Sequence, residues 1–202
     1  MAPVPSDPKP TPETALGGMA GVVEARKRGP APVHLWNPAF CGDIDMRIAS
    51  DGTWFYNGSP IGRAPLVQLF ASILRRDGDQ YLLVTPVEKV GIRVDDAPFV
   101  AVEMAVAAQG AGAAQSLSFR TNVDDFVTVG PEHPLRFERG PADGLKPYVL
   151  VRDDLWALVK RALFYDLVAL GHTEPWQGEH WFGVSSGGAF FAMVRAEEIA
   201  GL

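Results

Sequence analysis

The chain has 202 residues, 47% of them hydrophobic and 21% charged, with a formal net charge of −6 and a pI near 5.2. This composition supplies a real core and argues against binding to nucleic-acid polymers or anionic membranes, which needs a basic face. Cys41 is the single cysteine, so no intramolecular disulfide forms. A reducing, cytoplasmic location is expected, and no apolar run approaches the ~20 residues of a membrane span.

Residues 1–11 are proline-rich and read as an extended tail without a secretory h-region. Thr11-Pro12-Glu13 combines an N-cap, a proline at N1 and a first-turn acid, which predicts a helix to about Lys27. With the Pro30-Ala31-Pro32 linker, this leading region spans 1–32. Cys41 is expected to be a buried small apolar residue. From Ile44 the period becomes two, with Ile44, Met46 and Ile48 on one face and Asp45 and Arg47 on the other. Ser50-Asp51-Gly52 turns that strand into a second one at 53–56.

Leu66, Leu69, Phe70, Ile73 and Leu74 form one apolar stripe and predict a helix over 65–76, with Arg75 and Arg76 at its C-terminus. Strands follow at 81–84 and 87–94. Asp95-Asp96-Ala97-Pro98 marks a boundary between a domain at 33–95 and one at 96–202. The second domain starts with strands at 99–107, 116–121, 125–129, 134–138 and 148–151. Asp153 or Asp154 then caps a helix to Leu170, the strongest in the chain. Its wide face of Leu155, Leu158, Val159, Ala162, Leu163, Leu167 and Leu170 calls for burial on a sheet or at an interface. A loop at 172–178 leads to a hairpin at 180–184 and 189–194 around Ser185-Ser186-Gly187-Gly188, and the last residues suit a short helix.

Both halves therefore carry a helix followed by two strands: 65–76 with 81–84 and 87–94, then 154–170 with 180–184 and 189–194. The expected fold class is α+β, two similar halves formed by internal duplication, with helices packed on antiparallel sheets.

The runs Asp43-Ile-Asp-Met-Arg-Ile, Asp51-Gly-Thr-Trp-Phe-Tyr, Gly58-Ser-Pro-Ile-Gly-Arg63 and Leu82-Leu-Val-Thr-Pro-Val-Glu-Lys89, with Thr121-Asn122, resemble the bacterial family called domain of unknown function 1285. The resemblance covers about residues 33–195, and the Thr-Pro-Val-Glu-Lys block is its most specific part. It implies a two-domain α+β chain with an internal duplication and a C-terminal half loosely like pleckstrin-homology folds. It also implies a cleft between the halves for a nucleotide-like ligand, and a role in signal transduction. It supplies no reaction.

Several residues depart from plain folding needs. Glu88 and Lys89 open a strand, where a lysine suits a phosphate or carboxylate and a glutamate a ribose hydroxyl or amine. Arg63 precedes the first helix and Arg152 the second, where a cation opposes the helix dipole; each suits an anion or a salt bridge. Tyr56 shares a strand face with Trp54, suited to the core or to stacking on a base. Thr85 and Asn122, with Thr121, are short polar groups at strand ends, turn formers first and ligand donors second. His172 and His180 with Glu174 and Glu179 match no compact zinc spacing. GxSxG, P-loop, HExxH and GxGxxG patterns are absent, so neither cofactor nor metal is expected. The expected function is binding of a small anionic, nucleotide-like ligand at Arg63, Thr85, Glu88, Lys89, Asn122, Arg152 and Tyr56. The alternatives are a protein-interaction adaptor, or a hydrolase using Glu88 or His180.

Overall fold

The computed structural model describes residues 31–110, 112–140 and 144–199. The expected tail, the helix at 12–27 and the start of the linker lie outside the described residues. Strand makes up 52% of the structure, and its helices are few and short. The described residues fall into two compact units. One holds Trp54–Arg93 and the described residues up to Arg47. The other holds Ile48–Thr53 and the described residues from Val94 onward.

The first unit contains a six-stranded sheet of β1 (Phe40–Ile48), β2 (Trp54–Tyr56), β3 (Ser59–Pro60), β4 (Leu74–Asp77), β5 (Gln80–Val84) and β6 (Lys89–Val94). Their order across the sheet is β3-β2-β1-β6-β5-β4. The turn between β2 and β3 is Asn57-Gly58, with φ of 48° and 74°, the left-handed pair that a two-residue hairpin requires. The helix α1 (Ala64–Ser72) covers one face, burying Leu66, Phe70 and Ala71. Phe70 stacks on Trp54 with centroids 6.1 Å apart. Each such aromatic contributes roughly 1.5–3 kcal/mol by burial. Tyr56 is buried beside them, 8% exposed.

Helix α1 is shorter than the expected 65–76. It ends where the Ser72 hydroxyl donates to Leu69 O at 2.7 Å, and Leu74–Asp77 pairs with Gln80–Leu83 as β4. Ile73 and Leu74 fit the helical stripe equally well as a corner and a strand, and both are fully buried. Arg75 therefore serves a strand, reaching Val33 O at 3.0 Å and Trp36 O at 2.6 Å, and it ties the leading segment to the sheet.

The second unit repeats the same strand order in different residues. Its strands are β7 (Phe99–Ala107), β8 (Ser116–Thr121), β9 (Phe126–Thr128), β10 (Leu135–Arg139), β11 (Leu145–Arg152) and β12 (Leu155–Val159), arranged β10-β11-β12-β7-β8-β9. Two antiparallel three-stranded meanders meet at a parallel pair, β12 beside β7. A third sheet of β13 (His172–Trp176), β14 (Glu179–Ser186) and β15 (Ala189–Arg195) packs on it, and α3 (Ala196–Ile199) closes the described chain.

The expected helix over 154–170 is wrong up to Lys160. Leu155, Ala157 and Val159 are buried alternately as β12, and only Arg161–Ala169 forms a helix, α2. The leucines at helical spacing also satisfy period two. Asp153 takes φ of 46° in a tight turn between β11 and β12 rather than capping a helix. The expected loop at 172–178 contains β13. The expected pairing of 81–94 with 180–194 as one repeat also fails, because the later hairpin belongs to the third sheet.

Three groups dock that hairpin. The Ser186 hydroxyl accepts from Leu117 N–H at 2.9 Å and donates to Val129 O at 2.8 Å. Gln115 Nε2 donates to Ser185 O at 2.8 Å. Gly187, at φ 57°, lies so close that a Cβ there would stand 2.8 Å from Val129 O.

Ser186→Ala leaves a buried N–H and a buried carbonyl without a partner, a loss of about 1–3 kcal/mol; thermal unfolding should show a Tm lower by roughly 2–12 °C. Glu103 is paired through the Arg120 fork across β7 and β8, and hydrogen bonding to that guanidinium holds its carboxyl below the ordinary range. A lowered folded-state pKa makes this contribution present above the unfolded value and lost as pH falls through the folded one. Stability curves of wild type and Arg120→Gln should therefore converge on acidification; a gap that stayed constant to low pH would refute the assignment.

Candidate functional site

The Thr85–Lys89 segment connects β5 to β6. Thr85 is fully buried. Its hydroxyl accepts from the N–H groups of Glu88 at 3.2 Å and Val87 at 3.4 Å, and its own N–H donates to Glu88 O at 2.9 Å. The threonine thus closes the turn and has its hydrogen-bonding capacity used inside the protein. Glu88 and Lys89 emerge half-buried. Lys89 N–H donates to Ala39 O at 3.1 Å, which sets β6 beside the start of β1. Lys89 Nζ has a long contact, 3.5 Å, to Asn37 Oδ1. Among the described residues no carboxylate stands within ion-pair distance of it.

The chain segments that Lys89 touches carry apolar side chains that the core does not take. Val87 is 66% exposed, Leu35 71% and Phe40 49%. Val87 is two residues from Lys89, Leu35 two from Asn37, and Phe40 is next to Ala39. Cys41, expected to be buried, is exposed here, its thiol donating to Ala39 O at 3.6 Å. The first residues of β1 are exposed, and burial begins only further along the strand at Met46.

The open face of β1 and β6 adds residues that sequence reasoning did not select. A Cβ on Gly91 would stand 1.9 Å from Asp43 Oδ1, so the glycine allows the Asp43 carboxylate to lie against the neighbouring strand. Asp45 pairs with Arg93 at 3.2 Å, and Arg47 lies over the Phe55 ring at 4.7 Å. The signal for this face was the alternation of Asp43, Asp45 and Arg47 opposite the buried positions, together with a glycine inside a strand.

Arg63 and Tyr56 sit elsewhere in this unit. Arg63 is the exposed N-cap residue of α1, and its carbonyl accepts from Leu66 and Val67 N–H. Tyr56 is on β2, its ring in the core. In the second unit, Asn122 uses both ends of its amide: Oδ1 accepts from Val100 N–H at 2.9 Å and Nδ2 donates to Gly52 O at 3.2 Å. Arg152 ends β11 instead of preceding a helix; it pairs with Asp125 and lies over Phe99 at 5.0 Å. Lys160 occupies the N-cap position of α2.

Two features of the second unit have the outline of chemistry. His172 Nε2 lies 3.3 Å from Ser185 Oγ and 3.2 Å from Glu174 Oε2. A nucleophile relay needs the two ring nitrogens to serve one partner each; here one nitrogen meets both, and the group works as a clasp between β13 and β14. Glu179, His180, Arg195, Ala196 and Glu197 line a cleft of about 310 Å³. Its cation is already engaged, since Arg195 pairs with Glu179 at 3.2 Å and Glu197 at 3.8 Å. Among the described residues no three His, Cys, Asp or Glu side chains converge as a metal site would require, and no helix is long and apolar enough to cross a membrane.

Comparison with known proteins accounts for residues 31–193. Residues 31–97 match the domain of unknown function (DUF1285), N-terminal domain, and residues 98–193 match its C-terminal domain. Among curated proteins nothing matches. A DUF1285 family protein from Silicibacter pomeroyi DSS-3, known as a crystal structure, is 53% identical. That match covers 91% of this chain and 98% of that one, with a TM-score of 0.81. A second crystal structure, of a DUF1285 family protein from Shewanella baltica OS155, is 30% identical over 62% of this chain and 91% of that one, with a TM-score of 0.49. With both family domains matched in order along it, this chain belongs to the DUF1285 family.

Proposed function

We propose that this protein is a non-catalytic binding module that recognises an anionic, nucleotide-like ligand at the Lys89 end of its first unit, in the service of signal transduction. The observation that carries this reading is Lys89, a half-buried residue whose ammonium has no carboxylate within ion-pair distance among the described residues, with exposed apolar residues on the chain segments it touches. A lysine ammonium without a carboxylate beside it favours an anionic partner. Apolar surface beside it suits a ligand that also carries a flat or hydrophobic part. Arg63 remains part of the proposal through its exposed place at the start of α1. Thr85, Asn122 and Arg152 act as supports, because their polar groups hold turns and strands.

A protein-interaction adaptor is the second reading, favoured by Leu35, Phe40 and Val87, which together offer more apolar surface than a small anion uses. An internal duplication also belongs to this proposal. Both six-stranded sheets run 3-2-1-6-5-4 when each is numbered from its own first strand, which supports descent of the two halves from one unit. A pleckstrin-like second half has less support, since the longer helix, α2, lies between β12 and β13 rather than after the last strand.

A thermal-shift screen of nucleotides and inorganic phosphate tests the ligand reading. A ligand at about 100 times its Kd stabilises by about 2.7 kcal/mol, and that shift should shrink at least several-fold in Lys89→Ala. No stabilising nucleotide, or a shift that Lys89→Ala leaves intact, would overturn it. Val87→Asp should abolish capture of a stoichiometric protein partner if the adaptor reading holds.

A further inference from the structure

Helix α2 is unusual for its composition. Seven of its nine residues are apolar (Ala162, Leu163, Phe164, Tyr165, Leu167, Val168 and Ala169), yet only Leu167 is buried. Tyr165 is 58% exposed and Val168 38%. Projected at about 100° per residue, Ala162, Tyr165 and Ala169 form the centre of the solvent face, opposite Leu163, Phe164 and Leu167. Arg161 flanks that stripe on one side and Asp166 on the other.

We propose that this face is a homodimer contact, in which α2 pairs in parallel with α2 of a second copy about a two-fold axis along the helices. Ala162, Tyr165 and Ala169 stand at the spacing of successive a, d and a positions in a heptad, which places Arg161 at g and Asp166 at the following e. In a parallel two-stranded pair, g of one helix meets e of the next heptad on the other, five residues on. Arg161 and Asp166 are five residues apart. The two-fold brings each arginine to the partner's acid, twice over. An antiparallel pairing would set arginine flank against arginine flank, so the charges select the parallel arrangement and a second copy as the occupant.

The side chains are prepared for this. Arg161 Nε donates to Tyr165 Oη at 3.0 Å and the guanidinium lies over that ring at 5.8 Å, which holds the ring in place, and the two terminal guanidinium nitrogens have no hydrogen-bond or ion-pair partner among the described residues. Asp166 is exposed and its carboxylate likewise has no partner among them. Alanines at the a positions let the helices approach closely. A contact of two to three turns is small, so the dimer is weak and concentration-dependent.

The test uses the full chain in sedimentation equilibrium and light scattering across a concentration series at low and high salt. A monomer–dimer equilibrium weakened by salt is expected. Asp166→Arg should raise the dissociation constant by about tenfold or more, and Arg161→Glu with Asp166→Arg should restore it. In a Cys41→Ser background, Ala162→Cys should crosslink symmetrically under mild oxidation, since a positions face each other across a parallel axis and separate in an antiparallel one. A monomer at every concentration, a dimer indifferent to Asp166→Arg, or failure of Ala162→Cys to crosslink would each overturn the proposal.

Discussion

A buried backbone N–H or carbonyl without a partner costs more than most surface contacts return, and the connections of this chain are organised around that constraint. Among the described residues the buried polar side chains are Thr85, Gln115, Thr121, Ser185 and Ser186. Thr85 and Thr121 do the same task in different units. Each sits at a strand end and accepts from N–H groups two to four residues on, closing the turn beneath a core strand. Gln115 and Ser186 do it across sheets, supplying the donors and acceptors where β14 and β15 meet the second sheet. Asn122 does it for Val100 and Gly52.

That constraint separates the polar residues with functional promise from those whose capacity is used. Thr85, Asn122 and Arg152 are committed to neighbours in the fold, and removing them would damage structure before it damaged recognition. Lys89 differs. Its backbone serves the β1–β6 junction, while its ammonium has a single long contact to an amide. The same contrast applies to apolar groups. Trp54, Tyr56 and Phe70 are core, whereas Phe40, Val87 and Tyr165 are presented outward. The two proposed surfaces lie in different units and rest on different physics, a cation amid apolar side chains in one and a self-complementary helix stripe in the other.

Most strands were legible because a half-buried strand imposes period two. Ile44, Met46 and Ile48, and later Phe99 to Ala107, were read within a few residues of their ends. The failures share one cause. Leu155, Leu158, Val159 and Ala162 suit a helical stripe, but Leu155, Ala157 and Val159 also suit a strand, and local pattern holds no preference between them. Pairing with β11 and β7 decided the matter by satisfying backbone groups on both sides of β12. Ile73 and Leu74 were ambiguous in the same way. His172–Trp176 lacks apolar alternation because it is an edge strand with no buried residue. Cys41 was misplaced because its type favours burial, whereas the first strand of the unit leaves it exposed.

By itself the sequence determined the class of local structure wherever periodicity or turn chemistry was unambiguous. The Asn57-Gly58 and Gly187-Gly188 turns and the apolar stripe of Leu66, Leu69 and Phe70 are properties of neighbouring residues. Tertiary structure alone decided which strands pair, because strand order depends on hydrogen bonds between segments far apart in the chain, such as β7 with β12. It also decided which polar groups are consumed. Thr85 and Lys89 lie four residues apart in one motif, yet the hydroxyl of one closes the turn while the ammonium of the other has only a long contact to an amide, since burial and hydrogen-bond geometry are set by what packs around them.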